Sequence, residues 1–515
     1  MGCPIVVLPT AVSTLGGLVF GYELGIISGA LMQLKAQFHL TCVQQETVVS
    51  ALLIGAVFAS LVGGWLIDRH GRRTSILVSN LLLLCGSLIL SSSNSFLMLV
   101  VGRLSVGFAI CISSMSCCIF VSEMVPSHRR GLMVTLYEAG VTVGILVAYA
   151  VNYVLAGVLE GWRYMFGLAV APCLAQLVSV WVLPSQNQGL VQLVPDSQNM
   201  SDCPEEEPSS NQVLKDHKRF TIFHLFQRKD NLRSRTLIGL GLVLFQQFTG
   251  QPNVLFYAST IFQSMGFKNN ASAILASLGL GIVKVVATFV AMLCADKAGR
   301  RPLLIGGCSV MALGLILIGF LSRNSLLDAT RHCSSEPCFN NTMQVHKNPM
   351  ELDLMKISNH TTDAGLLDMP PAMGSYNWLI LICMMSVVAA FSVSFGPMTW
   401  LILSEIFPAE LRGRAFAFTN FFNWVANLIV SFSFLSVIDA IGLSGTFFIY
   451  GVIAVAAVAF IYFLLPETKG KSLQDIDQEL RQKRQFPHKE EFCSVFQRRR
   501  SPDYQRLSWT NTSSI

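Results

Sequence analysis

Charge is scarce in this 515-residue chain: only 13% of its residues are Asp, Glu, Lys or Arg, against roughly 25% in a soluble globular protein. With 52% hydrophobic residues and a mean hydropathy of +0.55, its apolar side chains exceed what one ordinary core can hide, so lipid is the expected solvent. A metal or disulfide framework is also missing. The fourteen cysteines show no zinc spacing, and most, such as Cys111, Cys117 and Cys118, lie in apolar runs where a free thiol acts as a small hydrophobe. Cys333 and Cys338 fall instead in a polar stretch and can pair if that stretch meets an oxidising compartment. No paired carboxylates, metal cluster or nucleophile with its base stands in a soluble stretch, which argues against an enzyme, and no cofactor is implied. The first apolar run lacks a basic leader and a small-residue cleavage site, so it reads as a retained helix. The net charge of +6 does not point to nucleic acid, because the basic residues sit in short clusters between apolar runs.

Runs long enough to cross a ~30 Å hydrocarbon layer need ~20 residues each. They occur near 10–32, 46–68, 75–95, 97–122, 132–155 and 162–183, and again near 236–262, 270–295, 302–322, 376–402, 413–437 and 440–465. This predicts an all-α membrane protein of twelve transmembrane helices. Residues 1–183 form one six-helix bundle and 236–465 a second, joined by a polar linker, 184–235, with a loop at 323–375 and a charged tail at 466–515. Arg69, Arg72 and Arg73 follow the second run, Arg129 and Arg130 the fourth, Lys297, Arg300 and Arg301 the eighth, and Arg412 and Arg414 the tenth. All fall on one side, which is expected to be cytosolic and to hold both termini. The membrane itself, plasma or endomembrane, is left open, as is any oligomeric state. Loop 323–375 is then exterior, and its sequons at Asn340 and Asn359 are candidate glycosylation sites.

The halves echo each other. Asp68-Arg-His-Gly-Arg-Arg73 is matched by Asp296-Lys-Ala-Gly-Arg-Arg301, and Glu123 with Arg129-Arg130-Gly131 by Glu405 with Arg412-Gly413. The second pair lies further apart than the first by about the length of loop 323–375, as a six-helix unit duplicated in parallel requires. Acids Asp68, Glu123, Asp296 and Glu405 with arginines Arg72, Arg130, Arg300 and Arg412 can latch helix ends when a gate shuts and release them when it opens. The arginines can instead serve orientation alone; four motifs in matched positions favour the latch. Gly71 and Gly299 allow tight turns there.

A polar seam is also written into the spans. The seventh run holds Gln246-Gln-Phe-Thr-Gly-Gln-Pro-Asn253, where adjacent amides suit a wet cavity better than lipid and Gly250 with Pro252 should break the helix. Interhelical hydrogen bonding is the plainer reading of any one Gln. The tenth run holds Gly396-Pro-Met-Thr-Trp400, a breaker beside an aromatic, and the eleventh Asn420, Asn423, Trp424 and Asn427 on one helical face. Neutral amides beside an aromatic face fit a polyol or sugar.

These motifs, with Pro466-Glu-Thr-Lys-Gly470, resemble over nearly the whole chain the facilitative glucose transporters (solute carrier family 2). That family is the sugar-porter branch of the major facilitators, and the long loop 323–375 is similar to its third class. The resemblance implies two six-helix halves, alternating access, a small-molecule sugar partner (D-glucose and related hexoses, with dehydroascorbate a candidate), and contact of Gln246, Gln247, Asn423 and Trp424 with the hexose, Trp400 lying nearby. The sequence departs from the pattern at Pro184-Ser-Gln, where a Pro-Glu-Ser signature is usual. It departs at Pro252-Asn253, where the family's Asn is displaced by one place. It departs also at Glu138 and Lys284, which stand where Gln and Asn are usual. Opposite charges in two spans suggest an ion pair across the halves near the site; separate exposure of each to water is the alternative. Glu23 of the first run and Arg103 of the fourth either form a permanent pair or couple a proton, which would make the chain a proton symporter. A sugar sensor that does not transport is the remaining alternative, and the short tail counts against it.

Overall fold

The computed structural model describes residues 3–124, 130–182, 231–264, 270–323, 375–408, 412–471 and 473–482. Linker residues 183–230, most of loop 323–375 with Cys333, Cys338, Asn340 and Asn359, and the tail beyond 482 lie outside them. So do the side chains of Asp68, Glu123, Arg130, Asp296 and Arg412. The first six spans are α1 (Cys3–Phe38), α2 (Cys42–His70), α3 (Arg72–Ser91), α4 (Phe96–Met124), α5 (Arg130–Val154) and α6 (Gly161–Gly167 and Val170–Val182). The second six are α7 (Leu232–Phe248, Gln251–Phe256 and Ala258–Ser264), α8 (Asn270–Ala298), α9 (Arg300–Arg323), α10 (Ser375–Val393 and Phe395–Ile406), α11 (Arg412–Phe432) and α12 (Phe434–Leu464). A short amphipathic helix, α13 (Leu473–Gln482), follows.

Among the described residues, eleven spans are long and apolar enough to cross a bilayer; the twelfth is α7, which falls short of a continuous span because it breaks at Gly250. There the backbone is left-handed (φ 83°), and the Tyr450 ring stands 2.3 Å from where a Cβ would lie, so no other residue fits. Pro252 then sits in the first turn of the next piece, where a missing N–H costs nothing. The tenth span breaks at Ser394 (φ −104°, ψ −93°) and not at Gly396-Pro397 as the composition suggested. Pro397 falls in the first turn of the second piece, the place where helices accept proline. Arg235, expected in the linker, is a buried residue of α7.

Packing follows a duplicated plan. Helix α1 packs on α5, α2 on α4 and α3 on α6; correspondingly α7 packs on α11, α8 on α10 and α9 on α12. The halves meet through α2 against α11 and α5 against α8, which are equivalent contacts under the same exchange. This is the major facilitator arrangement. Polarity is inverted relative to a soluble protein: Phe58, Trp65, Leu97 and Leu293 are exposed while Asn80, Asn152, Gln176 and Asn253 are buried. Exposed apolar side chains at this density face lipid.

Main chains come into contact where α1 crosses α5, as they do where α4 crosses α2 at Gly107. A Cβ on Gly21 would lie 1.9 Å from the Val141 carbonyl oxygen, so the two helices touch through their main chains, the small-residue mode of association in lipid. Replacing Gly21 with Val should drive the helices apart and remove most folded protein, a cost of at least about 1–3 kcal/mol. Gly306→Ala, at a position with open space, should change little; thermal unfolding in detergent, followed by size exclusion, compares the two.

Candidate functional site

The predicted solute residues converge on the seam between the halves. On α7, Gln246 and Gln247 are buried, and the Gln246 Nε2 donates to the Phe395 carbonyl at the start of the second piece of α10 (2.9 Å). Gln247 Nε2 donates to Asn423 Oδ1 of α11 (2.6 Å). Past the break, Asn253 Nδ2 donates to Tyr450 Oη (2.7 Å) and to the Val430 carbonyl (3.1 Å). Trp424, next along α11, is buried and meets Phe20 of α1 across the seam at 6.0 Å between ring centroids; Phe20 in turn meets Tyr137 of α5 at 6.4 Å. Glu138 Oε1 faces Gly396, 3.9 Å from where its Cβ would be. Contacts thus run from α7 through α11 to α1 and α5 and return through α10. The Trp400 ring meets Phe416 of α11 at a tilt, with 5.4 Å between centroids, at the edge of this ring of contacts.

Several polar atoms in this ring are buried with no hydrogen-bond partner: Gln246 Oε1, both amide atoms of Gln251, Asn253 Oδ1, Thr399 Oγ1 and Trp424 Nε1. An unpartnered buried polar atom costs about 1–3 kcal/mol, and a cluster of them between two halves suits water or a hydroxylated guest. Gln251 and Thr399 were not singled out in the sequence. Gln251 stands directly after the predicted break and could have been found there; a lone Thr in an apolar run carries no such signal.

Glu138 and Lys284 both face this region but do not form a direct ion pair. Each acts on the other electrostatically, while the Lys284 Nζ lies 5.5 Å from the Phe391 ring centroid. Glu23 and Arg103 are paired: Arg103 Nη1 stands 3.6 Å from Glu23 Oε2, with both side chains 1% exposed, and Ser87 Oγ donates to Glu23 Oε1 at 3.5 Å.

One face of the molecule carries the loop motifs. There Arg300 pairs with Glu405 (3.2 Å), binding α9 to α10, and Thr468 donates to the other Glu405 oxygen (2.7 Å). Glu467 accepts from the backbone N–H groups of Arg300 and Arg301, both at 3.1 Å, and so caps the N-terminus of α9. In the first half, Gly71 and Arg72 open α3 and Arg73 donates to the Trp181 carbonyl of α6 (2.9 Å). On the same face Arg235 bonds Asp477 Oδ1 of α13 (2.6 Å) and the Ile406 carbonyl (3.0 Å). Glu467 and Arg235 had no assigned role in the sequence reading, because their partners are remote in the chain.

Toward the opposite face the halves are bonded together. Ser28 of α1 and Ser259 of α7 share a hydrogen bond (3.0 Å), and Tyr149 Oη of α5 donates to the Leu255 carbonyl (2.9 Å). The buried Glu46 carboxylate of α2 accepts from Ser436 N (2.8 Å) and Ser436 Oγ (2.9 Å) at the start of α12. The seam is therefore shut on this side. Glu46 was missed because a single Glu at the head of an apolar run looks like a helix-end charge.

The sequence model of the family described as sugar (and other) transporter matches residues 10–330 and 364–480. The chain is 61% identical to the zebrafish (Danio rerio) solute carrier family 2, facilitated glucose transporter member 10, over all of both chains. It is 48% identical to the human (Homo sapiens) protein of that name, covering 94% of this chain and 95% of the relative. Among solved structures it is similar to the proton:xylose symporter XylE of E. coli bound to 6-bromo-6-deoxy-D-glucose, with a TM-score of 0.69 and 25% identity, covering 93% of this chain and 100% of the other.

If Ser28 and Ser259 mark a closed gate, the double substitution Ser28→Cys with Ser259→Cys should crosslink under mild oxidation. Flux across reconstituted vesicles should then stop and return on reduction, while either single substitution should leave it unresponsive.

Proposed function

The chain belongs to the sugar (and other) transporter family, and on that premise we propose that it carries a hexose, D-glucose or a close relative, across the membrane by facilitated diffusion. The observation that carries this reading is the ring of unpartnered amide, hydroxyl and indole groups enclosed between the halves. A sugar hydroxyl both donates and accepts, so it can satisfy Gln246 Oε1 and Trp424 Nε1 together, while its C–H face covers the indole ring. Gln247 and Asn423, bonded to each other, can each exchange that partner for a hydroxyl at little net cost. Asn253, Trp400, Glu138 and Lys284 complete the lining.

Movement follows from the two-layer arrangement of bonds. The Ser28, Tyr149 and Glu46 contacts hold the halves together on the side away from the motif face; breaking them while the motif face stays latched turns the site to that side, and the reverse exchange turns it back. The motif face is the cytosolic one on the charge argument. It holds both chain termini and the Asp68, Arg72, Glu123, Arg130, Asp296, Arg300, Glu405 and Arg412 clusters as its latch. Sugar lowers the barrier by satisfying polar atoms that would otherwise be sealed in unpaired.

A proton-coupled cycle is the second reading, favoured by the Glu23–Arg103 pair and by the likeness to a proton symporter. Full enclosure of that pair, with Arg103 lying 5.9 Å from the Phe166 ring centroid, supports a fixed structural link instead.

Purified protein in liposomes should show saturable D-glucose counterflow, compared with galactose and dehydroascorbate. Binding without flux would identify a sensor. Gln246→Ala and Trp424→Ala should each raise KM by roughly tenfold, the scale of one well-made hydrogen-bonding group. Sugar addition should not acidify voltage-clamped vesicles; acidification that Glu23→Gln abolishes would establish symport.

A further inference from the structure

Two opposite charges face each other across the seam without touching. Glu138 belongs to α5 of the first half and Lys284 to α8 of the second, one of the two helix pairs through which the halves meet. Lys284 is 4% exposed. Neither charged head has a hydrogen-bond or ion-pair partner among the described residues; the Phe391 ring centroid lies 5.5 Å from Lys284 Nζ, and Gly396 lies beside Glu138. A charge with no fixed partner is tolerated only beside water, beside a polar guest, or beside a compensating charge.

Alternating access places a special demand on such a site. A loaded carrier changes face with hydroxyls around each charge. An empty carrier must change face with the seam closed and little water inside, and then one charge can be compensated only by the other. We infer that Glu138 and Lys284 act as a mutually neutralising couple that permits the empty carrier to return. They are positioning residues for the return step, acting in addition to any contact with solute. The inference rests on the transport reading above.

The other titratable groups on neighbouring helices are engaged elsewhere. Glu23 of α1 pairs with Arg103 of α4, and Glu405 of α10 with Arg300. Tyr22, Tyr149 and Tyr257 donate to the carbonyls of Met165, Leu255 and Ser431, and the Tyr137 ring packs against Phe20. Cys111 and Cys117 of α4, Cys294 of α8 and Cys383 of α10 are free thiols, and Lys297 lies at the motif-face end of α8. A lone charge left by mutation must therefore be neutralised by proton exchange. For Lys284→Asn the remaining carboxylate must gain a proton, so return quickens as pH falls. For Glu138→Gln the remaining ammonium must lose one, so return quickens as pH rises.

The test compares zero-trans net efflux with equilibrium exchange of labelled glucose in proteoliposomes, from acid to alkaline pH. Exchange bypasses the empty return; net efflux requires it. In each single variant the ratio of exchange to net flux should rise by about tenfold or more at neutral pH, the scale of an uncompensated buried charge. The two variants should recover in opposite pH directions, and Glu138→Gln with Lys284→Asn together should restore the wild-type ratio. The inference is overturned by an unchanged ratio, by equal loss of exchange and net flux, by pH responses of the same sign, or by a double variant as impaired as the singles combined. Absence of exchange in the wild type would overturn the transport reading instead.

Discussion

A polar group sealed inside a bilayer must find a partner in its own protein, a film of water or a guest, and the interruption of α7 answers that requirement. The break of α7 at Gly250 frees backbone and side-chain groups in the middle of the membrane, where lipid would not tolerate them. The structure resolves this by turning the break inward, so that Gln246, Gln247 and Asn253 reach Phe395, Asn423 and Tyr450. Those bonds use up part of the polar capacity and leave the remainder facing the seam. On the proposed reading, incomplete satisfaction makes the seam receptive: a fully paired network would hold the helices together but would have nothing to offer a solute.

The same requirement explains why the bonds between halves are few and reversible. Serine to serine, tyrosine to a carbonyl and a carboxylate to a single serine are contacts that water can replace once the seam opens. A broad apolar interface would not exchange so readily. Stronger links stay within a half. Glu405, Arg300 and Glu467 tie α9 to α10 and to the chain after α12, so that the second half presents a firm motif-face end against which the first can rock. Charge in this protein is distributed by strength: paired and capped at the ends, sparse and exchangeable across the moving surface.

Much of this was legible in the amino-acid order, and the limits have physical causes. Periodic apolar runs located the twelve spans, because lipid imposes both length and composition. Gly250 with Pro252 announced the break in α7, since both residues act on their own backbone. Pro397 misled by three residues, because proline at a helix start is permitted rather than disruptive and the actual interruption at Ser394 has no local signature. Residue types at the seam could be read, but partners could not. Glu46 meets Ser436 across 390 positions and Arg235 meets Asp477 across 242, pairings that only the folded arrangement brings about. The opposite charges at 138 and 284 were evident; their separation, which carries the mechanistic consequence, was not.

The crossing of α1 over α5 has a mechanical corollary. Main chains in contact at Gly21 cannot slide or tilt without collision, and α1 to α5 run without internal breaks. The first half is interrupted between the two pieces of its outer helix α6, whereas the second half contains interruptions at Gly250, Ser394 and Gly442, each a natural pivot. Stiffness is therefore unequal: one bundle behaves as an anvil and the other as a set of jointed levers. Variation that loosens the anvil should be felt as misfolding, whereas variation at the joints should be felt as altered turnover in protein that still reaches its membrane.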